Sequence, residues 1–267
     1  MIPYIIAEIG SNWRKYESHE KNWSVSENQV RGAKECGADA VKFQLFTAQD
    51  LYGPKVKGTG FEKDFNRFAL PPSWVAQLAN LCQHVEIDFM CTAFSIAGYR
   101  FVDPYVKRHK LASSEATHPL LVEWLLNQPK PVLLSDGCGE RVPPRYKDID
   151  MRCVSNYPAS FLDYELDYGF PINKAYDWGV SDHTLDENLA LWALRFGAKY
   201  FEKHVDFCSY EGAKTPDSEV SIDRERFGEY VKAIRSFDPE NINMLKANLR
   251  GKYARKLTDD GWYRPML

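Results

Sequence analysis

Short apolar runs alternate with amphipathic stretches along nearly the whole chain. The runs are Tyr4–Gly10, Ala38–Phe46, Asp88–Phe94, Lys110–Ser114, Val132–Gly137, Met151–Tyr157, Trp178–His183 and Tyr200–Val205. Near-continuous apolar character is expected of strands covered on both faces. Helical patterns lie between them, most clearly at Ser26–Cys36, Pro72–His84, His118–Leu126, Leu185–Phe196 and Asp223–Ser236. Pro72 suits a first helical turn, where a missing N–H leaves no bond unmade. Strands alternating with helices predict a parallel sheet. Eight such units predict a single-domain (β/α)8 TIM barrel over residues 1–238.

Two segments interrupt the alternation. Pro143 and Pro144 exclude an ordinary helix interior between Gly137 and Met151, so the fifth crossover is expected to be curtailed. Thr47–Leu70 is long and rich in Gly, Lys and Asp, and reads as a lid or substrate loop. Its Lys55, Lys57, Lys63 and Arg67 either meet a second anion or simply face solvent. Residues 239–267 are a short basic C-terminal extension, expected to pack as a helix or an arm.

Composition narrows the function classes. At 267 residues and 44% hydrophobic, the chain can fill one barrel core. A net charge of -3 argues against a general nucleic-acid binder. No apolar run approaches the roughly 20 residues of a membrane span. The first run carries Glu8 with no basic stretch before it, so it reads as a strand and not a signal peptide. The six cysteines are scattered without a CxxC pair, which fits reduced thiols in a cytoplasmic protein, most of them filling core gaps.

Barrels of this kind build their chemistry at the carboxyl ends of the strands. Polar residues gather there: Glu8, Lys42, Gln44, Thr92, Ser113, Glu115, Ser135, Ser155, Tyr157, Ser181, His183, Glu202 and His204, with Lys110 opening the fourth run. Ser181-Asp182-His183-Thr184 and Glu202-Lys203-His204 bring two histidines to neighbouring strand ends. Two imidazoles could hold one divalent metal, although a single strand-end histidine is more often a hydrogen-bonded structural residue. Lys42 and Lys110 could meet a phosphate, or Lys42 could simply pair with Glu8 or Glu202, since a buried ammonium needs a partner. Asp217, after Pro216, could be an ordinary turn residue.

Taken together, the strand ends resemble the N-acetylneuraminate (sialic acid) synthase family. The matching segments are Ile5-Ile6-Ala7-Glu8-Ile9-Gly10, Gly37-Ala38-Asp39-Ala40-Val41-Lys42-Phe43-Gln44, Lys110-Leu111-Ala112-Ser113-Ser114-Glu115 with Pro119-Leu120-Leu121, and Val132-Leu133-Leu134-Ser135. Cys153-Val154-Ser155-Asn156-Tyr157-Pro158, the two histidine segments and Pro216-Asp217 complete the series, from about residue 4 to residue 221. The resemblance implies a transferase that condenses phosphoenolpyruvate with an N-acetylmannosamine-like aldehyde, giving a nonulosonic acid and phosphate. It implies a divalent metal on His183 and His204, manganese first, with magnesium or cobalt as alternatives. Lys42, Thr92, Lys110, Ser113, Ser135, Ser155 and Ser181 would form the phosphoenolpyruvate pocket. Gln44, Tyr157 and Asp217 would contact the acceptor sugar. Glu8 and Glu115 would be active-site carboxylates, with Glu115 handling the attacking water. A homodimer is compatible with the resemblance.

The chain also departs from the family pattern. Ser11-Asn12-Trp13-Arg14-Lys15 stands where Val-Asn-His-Asn-Gly is usual, and Asp136-Gly137-Cys138 where Thr-Gly-Met follows the serine. The C-terminal antifreeze-like domain that family members usually carry has no counterpart in these 267 residues. These departures leave the acceptor open. They also leave two other readings: a different phosphoenolpyruvate-condensing 3-deoxy sugar acid synthase, or a catalytically silent barrel serving as a binding or scaffold subunit.

Overall fold

The computed structural model describes residues 2–138, 142–164, 176–210 and 212–238, together with the short strands Lys256–Thr258 and Gly261–Tyr263. Eight strands form the centre: β1 (Tyr4–Gly10), β2 (Ala40–Leu45), β3 (Asp88–Ala93), β4 (His109–Leu111), β5 (Val132–Ser135), β6 (Ile149–Cys153), β7 (Asp177–Asp182) and β8 (Tyr200–His204). They pair in parallel in the order β3-β2-β1-β8-β7-β6-β5-β4. The two ends of that order, β3 and β4, lie side by side, so the sheet curls into a nearly closed TIM barrel. The helices are α1 (His19–Glu35), α2 (Ala48–Tyr52), α3 (Gly60–Asn66), α4 (Pro72–His84), α5 (Ile96–Val102), α6 (Pro119–Leu126), α7 (Asn188–Arg195) and α8 (Arg224–Arg235).

Several boundaries differ from the sequence expectation. Helix α1 begins at His19, well before Ser26, because the Ser18 side chain caps it by accepting from Lys21 N. Its buried face includes Asn22, Ser26 and Gln29, which hide the apolar period. The segment expected as the Thr47–Leu70 loop contains α2, a 3₁₀ turn at Pro54–Val56, and α3. Thr47 and Asp50 form a capping box for α2, and Thr59 accepts from Glu62 N to cap α3. Strand β4 ends at Leu111 and gives way to a 3₁₀ turn at Ser113–Thr117 that carries Glu115. Among the described residues no helix joins β5 to β6; residues 139–141 lie outside them. The C-terminal extension also lies outside the described residues, except that Lys256–Thr258 pairs antiparallel with Gly261–Tyr263.

Two apolar layers follow from the strand alternation. Ile6, Ala40, Met90, Leu133, Ile149 and Met151 form a buried cluster apart from the main core and plug the lower barrel. The alternate residues, such as Ile5, Val41, Phe43 and Phe201, join Val30, Trp74, Leu78, Leu189 and Phe227 of the helices in the main core. Each large side chain of that kind contributes about 1.5–3 kcal/mol on burial.

One ion pair sits in the outer layer. Lys203 Nζ lies 3.1 Å from Asp182 Oδ1, with both side chains fully buried. Lys203 also donates to Thr184 O at 2.6 Å and Asp186 O at 3.0 Å, while Asp182 Oδ1 accepts from Thr184 N and Oγ1. These bonds fix the ends of β7 and β8 relative to one another. Breaking the pair should be costly, since it leaves one buried charge alone. Lys203→Met is expected to lose about 3–5 kcal/mol in urea unfolding, and Asp182→Leu added to it should recover most of that. A single-variant loss below about 1 kcal/mol would show the pair to be dispensable.

Candidate active site

Above the apolar plug, the next inward residues of the strands are charged or hydroxylated. The register places Glu8 opposite Lys42 on one side and His204 on the other, and Ser181 opposite Glu202. Lys42 Nζ lies 3.0 Å from Glu8 Oε2 and 3.6 Å from Glu202 Oε2. Lys110 Nζ lies 3.6 Å from Glu202 Oε1. Glu202 is thus shared by two ammonium groups, and it also accepts from Ser181 Oγ at 2.8 Å. Hydroxyls fill the remaining valences. Lys42 donates to Thr92 Oγ1 at 3.1 Å, and Lys110 to Ser135 Oγ at 2.7 Å. The Ser113 and Ser155 hydroxyls are 2.7 Å apart. Gln44 Nε2 donates to Glu8 Oε1 at 2.6 Å.

The electrostatics of this layer are asymmetric. Burial opposes the charge of Glu202, but Lys110 and Lys42 overcome it and hold the carboxyl at about 2. Burial also opposes the charge of Lys42, and Glu202 with Glu8 reverses the effect and raises it. Lys110 is lowered, because burial outweighs its attraction to Glu202. Burial pushes Glu8 up, despite Lys42 and His204 beside it. Two ammonium groups therefore face the firmly ionised Glu202, and Glu8 is the carboxyl of the layer whose charge burial disfavours.

The histidines stand at the mouth. His183 Nδ1 donates to Val154 O at 2.6 Å, which leaves Nε2 with the lone pair in the neutral ring. Burial, with His204 beside it, pushes His183 down to about 3. The two ring centroids are 5.4 Å apart, and the Tyr157 ring packs 4.2 Å from His183. The buried His204 Nδ1 has no hydrogen-bond partner among the described residues and lies 3.6 Å from Asp217 Oδ1. Asp217 is itself held by Ser11, whose N and Oγ donate to Oδ2 at 2.7 Å and 2.5 Å. Gly10 permits this approach: its φ is +54°, and a Cβ there would fall 2.5 Å from Asp217 Oδ2. A neutral ring and an orphaned ring nitrogen on adjacent strands fit a divalent metal. Among the described residues no group of three or more His, Cys, Asp or Glu side chains is arranged to hold one.

These groups surround a cavity of about 280 Å³. Every residue that the family resemblance implicated lines it except Thr92 and Glu115; Lys55, Lys57, Lys63 and Arg67 of the Thr47–Leu70 segment do not. Thr92 is buried behind the wall, holding Lys42. Glu115 is half-buried on its 3₁₀ turn, next to Ser114, which does line the cavity and donates to it at 3.2 Å. The sequence reading gave Glu202 no more than a pairing role with Lys42. Its spacing of two from His204 was the signal that both face inward. Leu51 of α2 and Phe94 also line the cavity, as do two cysteines expected to fill the core. Cys153 is buried with Sγ 3.9 Å from His183 Nδ1, and Cys138 is exposed.

A parallel barrel with a charged, hydroxyl-lined cavity at the carboxyl ends of its strands is the architecture of TIM-barrel enzymes. Residues 29–142 and 147–241 match the NeuB family, and the chain belongs to it. It is 26% identical to the pseudaminic acid synthase of Helicobacter pylori over 96% of this chain and 82% of that protein. It is 29% identical to the N,N'-diacetyllegionaminic acid synthase of Legionella pneumophila over 91% and 73% respectively. Among solved structures, the N-acetylneuraminic acid synthetase of Leptospira borgpetersenii superposes with a TM-score of 0.73 at 21% identity, covering 94% of each chain.

The depressed Glu202 carboxyl links the site to stability. It titrates at about 2 in the fold against an ordinary 4.5, so the folded chain binds that proton more weakly than the unfolded chain does. The resulting stabilisation is fully present above about pH 4.5 and is lost as pH falls toward 2. Glu202→Gln should lower stability at neutral pH and flatten the acid limb by on the order of 3 kcal/mol. Equal pH slopes for the two proteins in chemical unfolding would contradict this assignment.

Proposed function

We propose that this chain condenses phosphoenolpyruvate with the aldehyde of a sugar, forming a C–C bond and releasing phosphate to give a nonulosonic acid. The observation that carries the reading is the convergence of Lys42 and Lys110 in the same cavity as two adjacent imidazoles. The relatives named above, synthases of pseudaminic and N,N'-diacetyllegionaminic acid, support a product of this class.

Phosphoenolpyruvate is a small trianion. Two buried ammonium groups amid the hydroxyls of Ser113, Ser135, Ser155 and Ser181 match its phosphate and carboxylate. Charge-assisted bonds of this kind contribute about 1.5–3 kcal/mol each. Thr92 and Glu202 hold the lysines in place before the substrate arrives. Gln44, Tyr157 and Asp217 face the outer part of the cavity and orient the acceptor's hydroxyls. His183 and His204 would hold a divalent metal, with manganese first and magnesium or cobalt as alternatives. Such an ion supplies Lewis-acid polarisation of a carbonyl oxygen. In this arrangement C3 of phosphoenolpyruvate attacks the aldehyde carbon, and water adds at the electron-poor C2. Glu115, raised by burial, stands behind the cavity wall and would receive the proton of that water through the lining Ser114 hydroxyl, which donates to it. The C2–oxygen bond to phosphate then breaks, and Lys42 and Lys110 retain the leaving phosphate. Glu8, joined to Gln44 and Lys42, keeps both aligned.

The test mixes the purified protein with phosphoenolpyruvate, manganese and a panel of aldoses, including 2-acetamido sugars. Phosphate release that depends on the aldose, with a product whose mass corresponds to the nonulosonic acid, is expected. Absence of release with every aldose would favour a binding or scaffold role instead. Chelation, or His183→Ala with His204→Ala, should abolish turnover; full activity of that double variant in chelator would remove the metal from the account. Lys42→Met and Lys110→Met should each raise KM for phosphoenolpyruvate by about ten- to hundredfold, with a smaller effect on the acceptor. An unchanged KM for phosphoenolpyruvate would separate the lysines from phosphate binding.

A further inference from the structure

The turn between β1 and α1 is tied to the segment that follows β8. Asn12 is fully buried; its Nδ2 donates to Val205 O at 2.9 Å and to Ser221 Oγ at 2.7 Å, and its Oδ1 accepts from Thr215 Oγ1. Ser221 Oγ in turn donates to Asp217 O at 2.7 Å. Lys15 pairs with Asp206 at 2.5 Å, both side chains buried, and Gln29 Nε2 donates to Asn12 O and Asp206 Oδ1. These bonds hold the backbone around Asp217 without using its carboxylate. The carboxylate is fixed separately, by the N–H and the hydroxyl of Ser11, both of which donate to Oδ2. Oδ2 is thereby filled. Oδ1 keeps its lone pairs, and it is the oxygen that stands 3.6 Å from His204 Nδ1.

The two histidines differ in support. His183 Nδ1 donates to a main-chain carbonyl, Val154 O, so its tautomer is set. His204 Nδ1 is buried with no hydrogen-bond partner among the described residues, which is rare for a polar atom. Since Nδ1 is the enclosed nitrogen, Nε2 is the one left to the cavity that the ring lines. The gap from Nδ1 to Asp217 Oδ1 exceeds the hydrogen-bond range by a few tenths of an ångström, which a small turn of the ring closes. Imidazoles that hold a metal usually give their second N–H to a carboxylate or a carbonyl, and this fixes the ring and its tautomer. Val154 O does this for His183, and Asp217 is placed to do it for His204.

We propose that Ser11 and Asp217 are positioning residues for His204: Asp217 Oδ1 accepts from His204 Nδ1–H, so that Nε2 is presented to the metal, and Ser11 holds Asp217 in the orientation that does so. This inference rests on reading His183 and His204 as the holders of a divalent ion. The second lone pair of Oδ1 is left for the acceptor. Ser11 stands where the family pattern usually has valine, a residue that could not supply the hydroxyl bond to Asp217.

Two measurements on the intact chain decide it. The first is manganese affinity without substrates, read from the electron paramagnetic resonance signal of the free ion. Asp217→Asn should weaken binding by about ten- to hundredfold. Ser11→Ala, which keeps the main-chain N–H, should weaken it by about two- to tenfold. The double variant should bind no more weakly than Asp217→Asn, since Ser11 acts through Asp217. The second is the imidazole nitrogen NMR spectrum of the metal-free protein. His204 should be the Nδ1–H tautomer in the wild type and should lose that exclusive form in Asp217→Asn, while His183, held by Val154, stays unchanged as the control for an intact site. Unchanged manganese affinity in Asp217→Asn, additive losses in the double variant, or an unchanged His204 tautomer would each overturn the arrangement; the last would be the result if Asp217 were itself a metal ligand. A wild type that binds no manganese would strike the metal reading instead, and the tautomer would still decide whether Asp217 orients His204.

Discussion

The mouth of this barrel depends on keeping two ammonium ions charged inside it. An ion moved from water into a protein interior loses several kcal/mol of hydration, even after relaxation. Glu202 meets that demand for both Lys42 and Lys110 at once, from 3.6 Å on either side. Its own burial is offset in turn by the two lysines and by the Ser181 hydroxyl. The arrangement leaves Lys42 firmly protonated and Lys110 the more weakly held of the two. On the proposed reading, an anionic substrate entering the cavity would stabilise the Lys110 charge that burial disfavours. Structure and binding are therefore two uses of one charge layer.

The alternation of strand residues allows the same short segments to build two layers. Ser181 and His183 face the barrel interior, while Asp182 between them faces the helices. Glu202 and His204 face in, while Lys203 faces out. The outward residues form a fully buried ion pair, and the inward ones line the site. A slip of one residue in either strand would exchange the two sets, placing Asp182 and Lys203 in the cavity. Tyr164 opposes such movement: its hydroxyl donates to Ser181 O and accepts from His183 N.

Much of this was legible in the sequence because barrel strands are short, apolar and separated by helices. The inward polar residues interrupt apolar runs at their carboxyl ends, and that is where most candidates fell. The misreadings have physical causes. The start of α1 was hidden by three buried polar residues: Asn22 and Gln29 bind Lys15 N and Asp206, and Ser26 donates to Asn22 O within the helix. Helices α2 and α3 are too short to show a period. Glu115 looked like a strand-end residue, but the chain turns into a 3₁₀ helix directly after β4. The sharing of Glu202 by two lysines from other strands is a property of the closed barrel, and no local pattern carries it.

The site divides by origin. Lys42, Thr92, Lys110, Ser135, Ser181 and Glu202 come from barrel strands, while Ser113 and Ser155 follow the ends of β4 and β6. Of the other cavity residues, Gln44 belongs to β2, whereas Tyr157, Asp217 and Leu51 of α2 belong to loops or a short helix, the parts of a barrel that vary without disturbing it. The most direct test of the account is a crystal structure of the protein soaked with phosphoenolpyruvate and manganese. It should show the phosphate and carboxylate of the ligand bridging Lys42 and Lys110 among the serine hydroxyls, with the metal on His183 and His204. Phosphoenolpyruvate bound elsewhere, with both lysines still closed on Glu202 and no metal between the histidines, would contradict it.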